Sequence, residues 1–357
     1  MLLHGIFPAV TTPFYPDGAV YFRKLEHNLD RYSKSPVAGV AVLGSTGEAV
    51  MLSDVEQREV LKASRHAVTP EKVLIAGTGA ESARVTLELT EHAAKLGYDA
   101  ALIRTPYYYK PQMRAAEMLA FYRFVADRSP LPILLYSVPA FTGYDLPEEI
   151  VVALAEHANI VGIKESGGDV EKIGRMVAAT RHIRRQASVT EVQQAVTGRM
   201  LASPAPAAGS APASEFVSAA TLGSAVATAP PRSPPLPTSK TRTKEVGFQV
   251  LAGSAHKLKP SLDAGAVGAV LAFADAAPTA CFEILAAWKD GDMQLAEEKQ
   301  QRIREAASTL VVKHGIPATK YAMDLNGYYG GPPRLPLLPP EAAVKSEVER
   351  LMADIRN

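Results

Sequence analysis

Short apolar runs recur along the chain, each closed by small or turn-forming residues and each followed by a stretch in which apolar positions return every three to four residues. Eight of these runs read as strands, at residues 5–10, 39–43, 73–76, 100–104, 133–136, 160–164, 249–252 and 269–273. Their apolar character is continuous rather than alternating, which suits strands covered on both faces. Between them, residues 54–67 and 82–96 carry a helical period, with Leu87, Leu89, Ala93, Ala94 and Leu96 placed to form one apolar stripe. Eight strand-then-helix units predict an α/β fold of the (β/α)8 TIM barrel type in preference to an open doubly wound sheet. Residues 278–289, 294–312 and 340–355 read as helices beyond the barrel, so 1–277 is expected to be the barrel and 278–357 a C-terminal helical segment.

One interval breaks the rhythm, between the sixth strand and the seventh. Residues 201–240 are dominated by Ala, Pro, Ser and Thr, with repeated prolines and almost no aromatic residues, a composition that cannot bury enough surface to order itself. The expectation is a disordered, low-complexity insertion spanning about residues 182–245. Because a candidate helix at 170–181 precedes it, the insertion falls in an αβ connection, on the face of the barrel opposite the one that carries chemistry. So abrupt a boundary also suits a retained intron.

Composition narrows the partners. The chain has 357 residues, of which 47% are hydrophobic and 21% charged, with a formal net charge of +1. That balance gives no electrostatic footprint for nucleic acid or an anionic membrane, and points to a small-molecule partner. The single cysteine, Cys281, excludes an internal disulfide, and the eight histidines show no paired metal-ligand spacing, so no metal is expected. Neither GxxxxGK[ST] nor a strand-following GxGxxG occurs, so no cofactor is expected. The opening MLLHGIFPAVTTPF lacks the basic-then-apolar plan of a signal peptide, and no apolar run reaches the ~18 residues of a membrane span. A cytoplasmic protein is expected, and a mitochondrial one is compatible.

The candidate chemistry lies at strand ends. The sixth run closes as NIVGIKESGGDV, which puts Lys164 at the carboxyl end of an apolar strand. There, loss of ammonium hydration favours the nucleophilic neutral amine, whereas a lone lysine just past a strand is more often a surface group. The fifth run, ILLYSVPAFTG, puts Tyr136 at the equivalent end, beside Lys164 if neighbouring strands pair in order. Its phenol suits proton shuttling, although a half-buried core aromatic is the commoner role. After the second strand, GSTGE brings Ser45 and Thr46 between two glycines, either an anion nest with hydroxyls at its edge or a plain tight turn, and Glu48 is equally an internal scaffold carboxylate. RTPYYYKP follows the fourth strand as a rigid aromatic loop fit to close a site or to form an interface. GIPATKYAMDLNGYYGGPPRLPL reads first as packing against the barrel.

Lysine ending strand six, tyrosine ending strand five and GS/TxGE after strand two resemble, in that order, the dihydrodipicolinate synthase and N-acetylneuraminate lyase superfamily, over the whole chain apart from about residues 182–245. Within it, LYSVPAFTG, NIVGIKESGGDV, GFQVLAGSA and GIPATKYAMDLNGYYGGPPRLPL are most similar to 4-hydroxy-2-oxoglutarate aldolase. The resemblance implies a pyruvate-dependent class I aldolase with a 2-keto acid substrate, commonly assembled as a homotetramer. It implies that Lys164 forms the imine and Tyr136 transfers protons. Ser45 and Thr46 would hold the pyruvyl carboxylate, Thr46 also counting among the catalytic hydroxyls. Tyr108 would complete a relay from a neighbouring subunit, and Ser166 would contact substrate. Where the synthase branch has VPxRTG, with an arginine gripping the second substrate's carboxylate, this chain has Phe141. That contact is worth roughly 1.5–3 kcal/mol, so its loss speaks for an aldolase. Aldolases of 2-keto-3-deoxy sugar acids, dihydrodipicolinate synthase and a non-catalytic pyruvate-binding paralogue are the alternatives.

Overall fold

The computed structural model describes residues 1–190, 192, 194–202 and 241–355. Each of the eight apolar runs is a parallel strand: β1 (Gly5–Pro8), β2 (Gly39–Val42), β3 (Val73–Gly77), β4 (Ala100–Arg104), β5 (Ile133–Ser137), β6 (Ile160–Glu165), β9 (Gln249–Ala252) and β10 (Gly268–Leu271). Their hydrogen-bonded order runs β1-β10-β9-β6-β5-β4-β3-β2. The remaining seam, between β1 and β2, is closed where the Ala38 N–H donates to Ile6 O and the Val10 N–H donates to Ala41 O, both at 2.9 Å. The expected (β/α)8 barrel is therefore present.

Burial on both faces explains the unbroken apolar runs. Phe7, Ala41, Ile75, Leu102, Leu134 and Val270 pack in the barrel interior, while their alternates Ile6, Val40, Leu74, Ile103, Leu135 and Leu271 pack toward the helices. Several helices start where the sequence offers a cap. The Ser53 hydroxyl accepts from the Glu56 N–H while the Ser53 N–H donates to the Glu56 carboxylate in a capping box, and Asp169 accepts from the Lys172 N–H. Among the described residues, no helix is long and apolar enough to cross a membrane.

Two expectations need correction. First, residues 182–245 are not structureless throughout. β7 (Arg185–Thr190) and β8 (Thr241–Val246) pair antiparallel as a ribbon, and Gly198–Ala202 forms a short helix. Alternation supplies the reason: Ala187 and Val189 on one strand and Val246 on the other turn inward to meet Leu2, while Gln186, Ser188 and Glu245 face out. The low-complexity stretch itself, 203–240, lies outside the described residues. Second, the helix expected at 294–312 is α-helical only over Met293–Ala307 and then widens into a π-turn at Ser308–Lys313. Beyond these, Gly315–Leu325, read from the sequence only as packing against the barrel, is a helix; a proline in the first turn forfeits no intrahelical bond.

Candidate active site

Register decides which side chains face the barrel's carboxyl-terminal mouth. β5 and β6 start in step at Ile133 and Ile160, then slip by one residue, so that Leu134 pairs with Gly162 and Tyr136 with Lys164. The extra residue is Val161, and without that bulge Tyr136 would face Ile163 instead. Gly162 is what the tight passage allows, because a Cβ there would meet the carbonyl oxygen of Gln249 on β9 at 2.1 Å. The bulge thus turns Lys164 inward beside the tyrosine, with Nζ 4.3 Å from the centre of the Tyr136 ring.

Three lysines are buried among the described residues, and they differ in their partners. Lys320 sits against Glu48 Oε1 at 2.5 Å and donates to Thr12 O and Pro332 O. Lys172 pairs with Asp145 and, at 3.3 Å, with Glu165. Lys164 is 4% exposed, and among the described residues no side chain or carbonyl offers its amine a hydrogen bond or an ion pair. Its sequence neighbour Glu165 points to the other face, held by Lys172 and by the Gly167 N–H at 2.5 Å. Burial drives the Glu165 carboxyl above its ordinary range, against the pull of Lys172 and that N–H. A buried amine left unpaired this way costs stability, so its retention points to use.

The turn after β2 supplies the third part of the site. Leu43 and Glu48 are the two non-glycine residues with positive φ among the described residues, at 61° and 55°, and they bracket Gly44–Gly47. Strain of that kind persists only where the surroundings enforce it. Here Glu48 is fixed by Lys320 and by the Arg334 N–H at 2.8 Å, which establishes it as a scaffold carboxylate and ties the GIPATK and GGPPR segments to the turn. The Ser45 hydroxyl lies 3.2 Å from the Tyr136 hydroxyl, so Ser45 rather than Thr46 reaches the phenol. Thr46 and Ser166 line the same cavity, of about 530 Å³, with Ser45, Tyr136 and Lys164.

Tyr108 is not brought to this cavity. It is 73% exposed, on a loop pinned by Glu81, whose carboxylate accepts the Tyr107 and Tyr108 N–H groups at 2.9 Å each and meets Arg104 at 2.8 Å. Burial alone would raise the Glu81 carboxyl, but the Tyr108 and Tyr107 N–H groups and Arg104 together hold it below its ordinary value. Phe141 stands exposed at the cavity rim. Sequence reasoning passed over the far wall, which includes Ser254, His256, Lys257, Lys313 and His314. The only available sign was GSAHK directly after the seventh strand.

A closed eight-stranded parallel barrel with an unpaired buried lysine and a tyrosine on adjacent strand ends defines the class, a (β/α)8-barrel carbon–carbon lyase. The chain belongs to the dihydrodipicolinate synthetase family, whose model matches residues 2–185 and 237–355 and leaves out most of the inserted segment. It is 30% identical over 338 residues, covering 95% of this chain and 92% of the relative, to the 4-hydroxy-tetrahydrodipicolinate synthase of Methanothrix thermoacetophila. Over 178 residues, 50% of this chain and 58% of the relative, it is 42% identical to the enzyme of that name from Xanthomonas campestris pv. campestris. Among solved structures, the dihydrodipicolinate synthase of Acinetobacter baumannii complexed with pyruvate superposes with a TM-score of 0.76 at 27% identity, covering 99% of both chains. The E. coli prophage protein YagE in complex with pyruvate gives 0.75 at 26% identity, again covering 99% of both. These two sequence relatives carry the name of the synthase, not of 4-hydroxy-2-oxoglutarate aldolase.

Proposed function

We propose that the chain is a class I aldolase in which Lys164 forms an imine with the 2-keto carbon of its substrate, most specifically 4-hydroxy-2-oxoglutarate, and releases pyruvate and glyoxylate. The observation that carries this reading is the buried, unpaired Lys164 amine facing a cavity beside Tyr136. The amine adds to C2, and Tyr136 gives its proton to the carbinolamine hydroxyl, which leaves as water. The iminium then draws the C3–C4 electron pair, Tyr136 takes the C4 hydroxyl proton, and glyoxylate departs. Protonation of the enamine at C3 and attack of water at C2 free pyruvate and restore the amine. Ser45, bonded to Tyr136, passes protons onward, with Thr46 at its side holding the pyruvyl carboxylate together with the turn's N–H groups, and Ser166 contacts substrate. The exposed Tyr108 extends this relay from a second copy of the chain in a homo-oligomer. Pyruvate in two related structures supports the choice of keto acid.

The relatives' shared name supports a second reading, a synthase joining pyruvate to an aldehyde. Phe141 speaks against it, because an aromatic ring replaces the arginine of VPxRTG at the rim. Borohydride reduction in the presence of pyruvate is expected to fix a mass adduct on Lys164, and folded protein that yields none refutes the imine. A panel of aldol and condensation substrates then separates the two readings by kcat/KM.

A further inference from the structure

The loss of the rim arginine leaves the far end of a dicarboxylic substrate without its expected partner, and the opposite wall of the cavity offers one. Among the described residues, no Asp or Glu lines that cavity, although Lys257 and Lys313 do, with His256 and His314. These cations are not equally available. Lys313 and His314 are both engaged by Glu347, at 3.0 and 2.8 Å. His256 is held below its ordinary pKa by burial first, then by Lys257 and Arg304. Lys257 has no carboxylate partner among the described residues; its ammonium donates to one carbonyl, Gly168 O at 2.8 Å. That bond aims it. Gly168 has φ of 77°, and a Cβ built there would lie 3.9 Å from Lys257 Nζ and 3.5 Å from Ser254 Oγ, so the ammonium and the hydroxyl converge on the β6 loop four residues beyond Lys164. Lys257 follows β9, the strand that pairs with β6.

We propose that Lys257, assisted by the Ser254 hydroxyl, binds the second carboxylate of a short dicarboxylic 2-keto acid and so sets the substrate's length and charge. The inference rests on the imine chemistry at Lys164. It moves the distal grip from the loop after β5, where Phe141 stands, to the loop after β9. The test compares kcat/KM for 4-hydroxy-2-oxoglutarate with that for 4-hydroxy-2-oxopentanoate, which ends in a methyl group. In Lys257→Met the dicarboxylate:monocarboxylate ratio is expected to fall roughly ten- to a hundredfold, the loss of one charge-assisted hydrogen bond. Lys257→Arg is expected to recover most of the ratio. For the unsubstituted protein, inhibition by 2-oxoglutarate is expected to weaken with added salt more than inhibition by 2-oxobutanoate. A ratio that changes less than fivefold in Lys257→Met overturns the proposal, whatever happens to the individual rates. Pyruvate trapping on the unsubstituted protein keeps the failures apart: no adduct defeats the imine, whereas an adduct with an unmoved ratio defeats only the role of Lys257.

Discussion

Arg199 at one mouth of the barrel and Lys164 at the other are buried in opposite ways. At the amino-terminal mouth, Arg199 from the short helix beyond the ribbon is 3% exposed, donates to Val68 O at 3.1 Å, Thr69 O at 3.3 Å and Lys72 O, and pairs with Asp99 at 3.4 Å. Arg185, on the ribbon itself, donates to Ile160 O, Ala155 O and His157 O at 2.6, 2.6 and 2.9 Å. Carbonyls at the starts of the strands and the ends of the helices before them are orphaned by geometry, and guanidinium forks with five donors suit them. At the carboxyl-terminal mouth Lys164 is as deeply buried and has no polar partner among the described residues, although Lys320 and Lys172 on the same side are paired with Glu48 and Glu165. Both sides satisfy their structural cations, and Lys164 stands apart as the amine left for the proposed chemistry.

The largest effect is expected from removing the hydroxyl next to that amine. Tyr136→Phe keeps the ring over Lys164 and deletes the proton carrier, so kcat should fall by roughly 10²–10⁴-fold, the usual worth of a positioned acid–base group. Thermal stability should stay close to that of the parent, because one bond, the 3.2 Å contact to Ser45, is lost. A Tyr136→Phe protein that turns over within tenfold of the parent would remove the phenol from the mechanism. At the other mouth the pattern should invert. Arg199→Ala leaves Asp99 buried without its cation and strands several carbonyls, which should cost roughly 3–5 kcal/mol in denaturant unfolding while kcat/KM stays within about twofold. Equal stability of parent and variant would mean that the segment at 198–202 does not hold the barrel as described.

Sequence pattern carried the barrel because strands covered on both faces leave continuous apolar runs, a signal independent of what each strand pairs with. The placement of Lys164 and Tyr136 at strand ends was legible for the same reason. Their approach was not, because it depends on the bulge at Val161, and register is a property of two strands together. Ser45 and Thr46 looked interchangeable in GSTGE until the fold brought the Ser45 hydroxyl to 3.2 Å from that of Tyr136. The ribbon was hidden by the low-complexity stretch between its strands, and its sparse alternation of buried and exposed positions only gains meaning against Leu2. Lys257 was missed because nothing local distinguishes it from a surface lysine. Its standing comes from the acid-free wall it shares and from Glu347 engaging its neighbours.

The smallest expected effect tests whether the carboxyl-terminal side tolerates unpaired groups beyond Lys164. Asp275, in the turn after β10, is wholly buried, and neither carboxylate oxygen has a hydrogen-bond partner among the described residues. Burial pushes its carboxyl well above the ordinary range, and the opposing pull of Lys164 does not reverse that. Tyr32, Tyr328 and Cys281 also feel it. A carboxyl whose pKa is raised on folding contributes stability that is complete below its unfolded pKa, about 3.9, and that is lost as pH rises toward the folded value. Asp275→Asn keeps the shape and removes the ionisation. It should therefore match the parent near pH 4 and exceed it at pH 7–8 by roughly 1–3 kcal/mol, the cost of an unsatisfied buried polar group. Chemical denaturation at both pH values checks this, and a difference that does not grow with pH would show that Asp275 is not an ionisation cost. If the stabilised variant also turns over more slowly, the carboxyl is kept for its influence on Lys164, and the contrast extends from the proposed catalytic amine to the buried acid that acts on it.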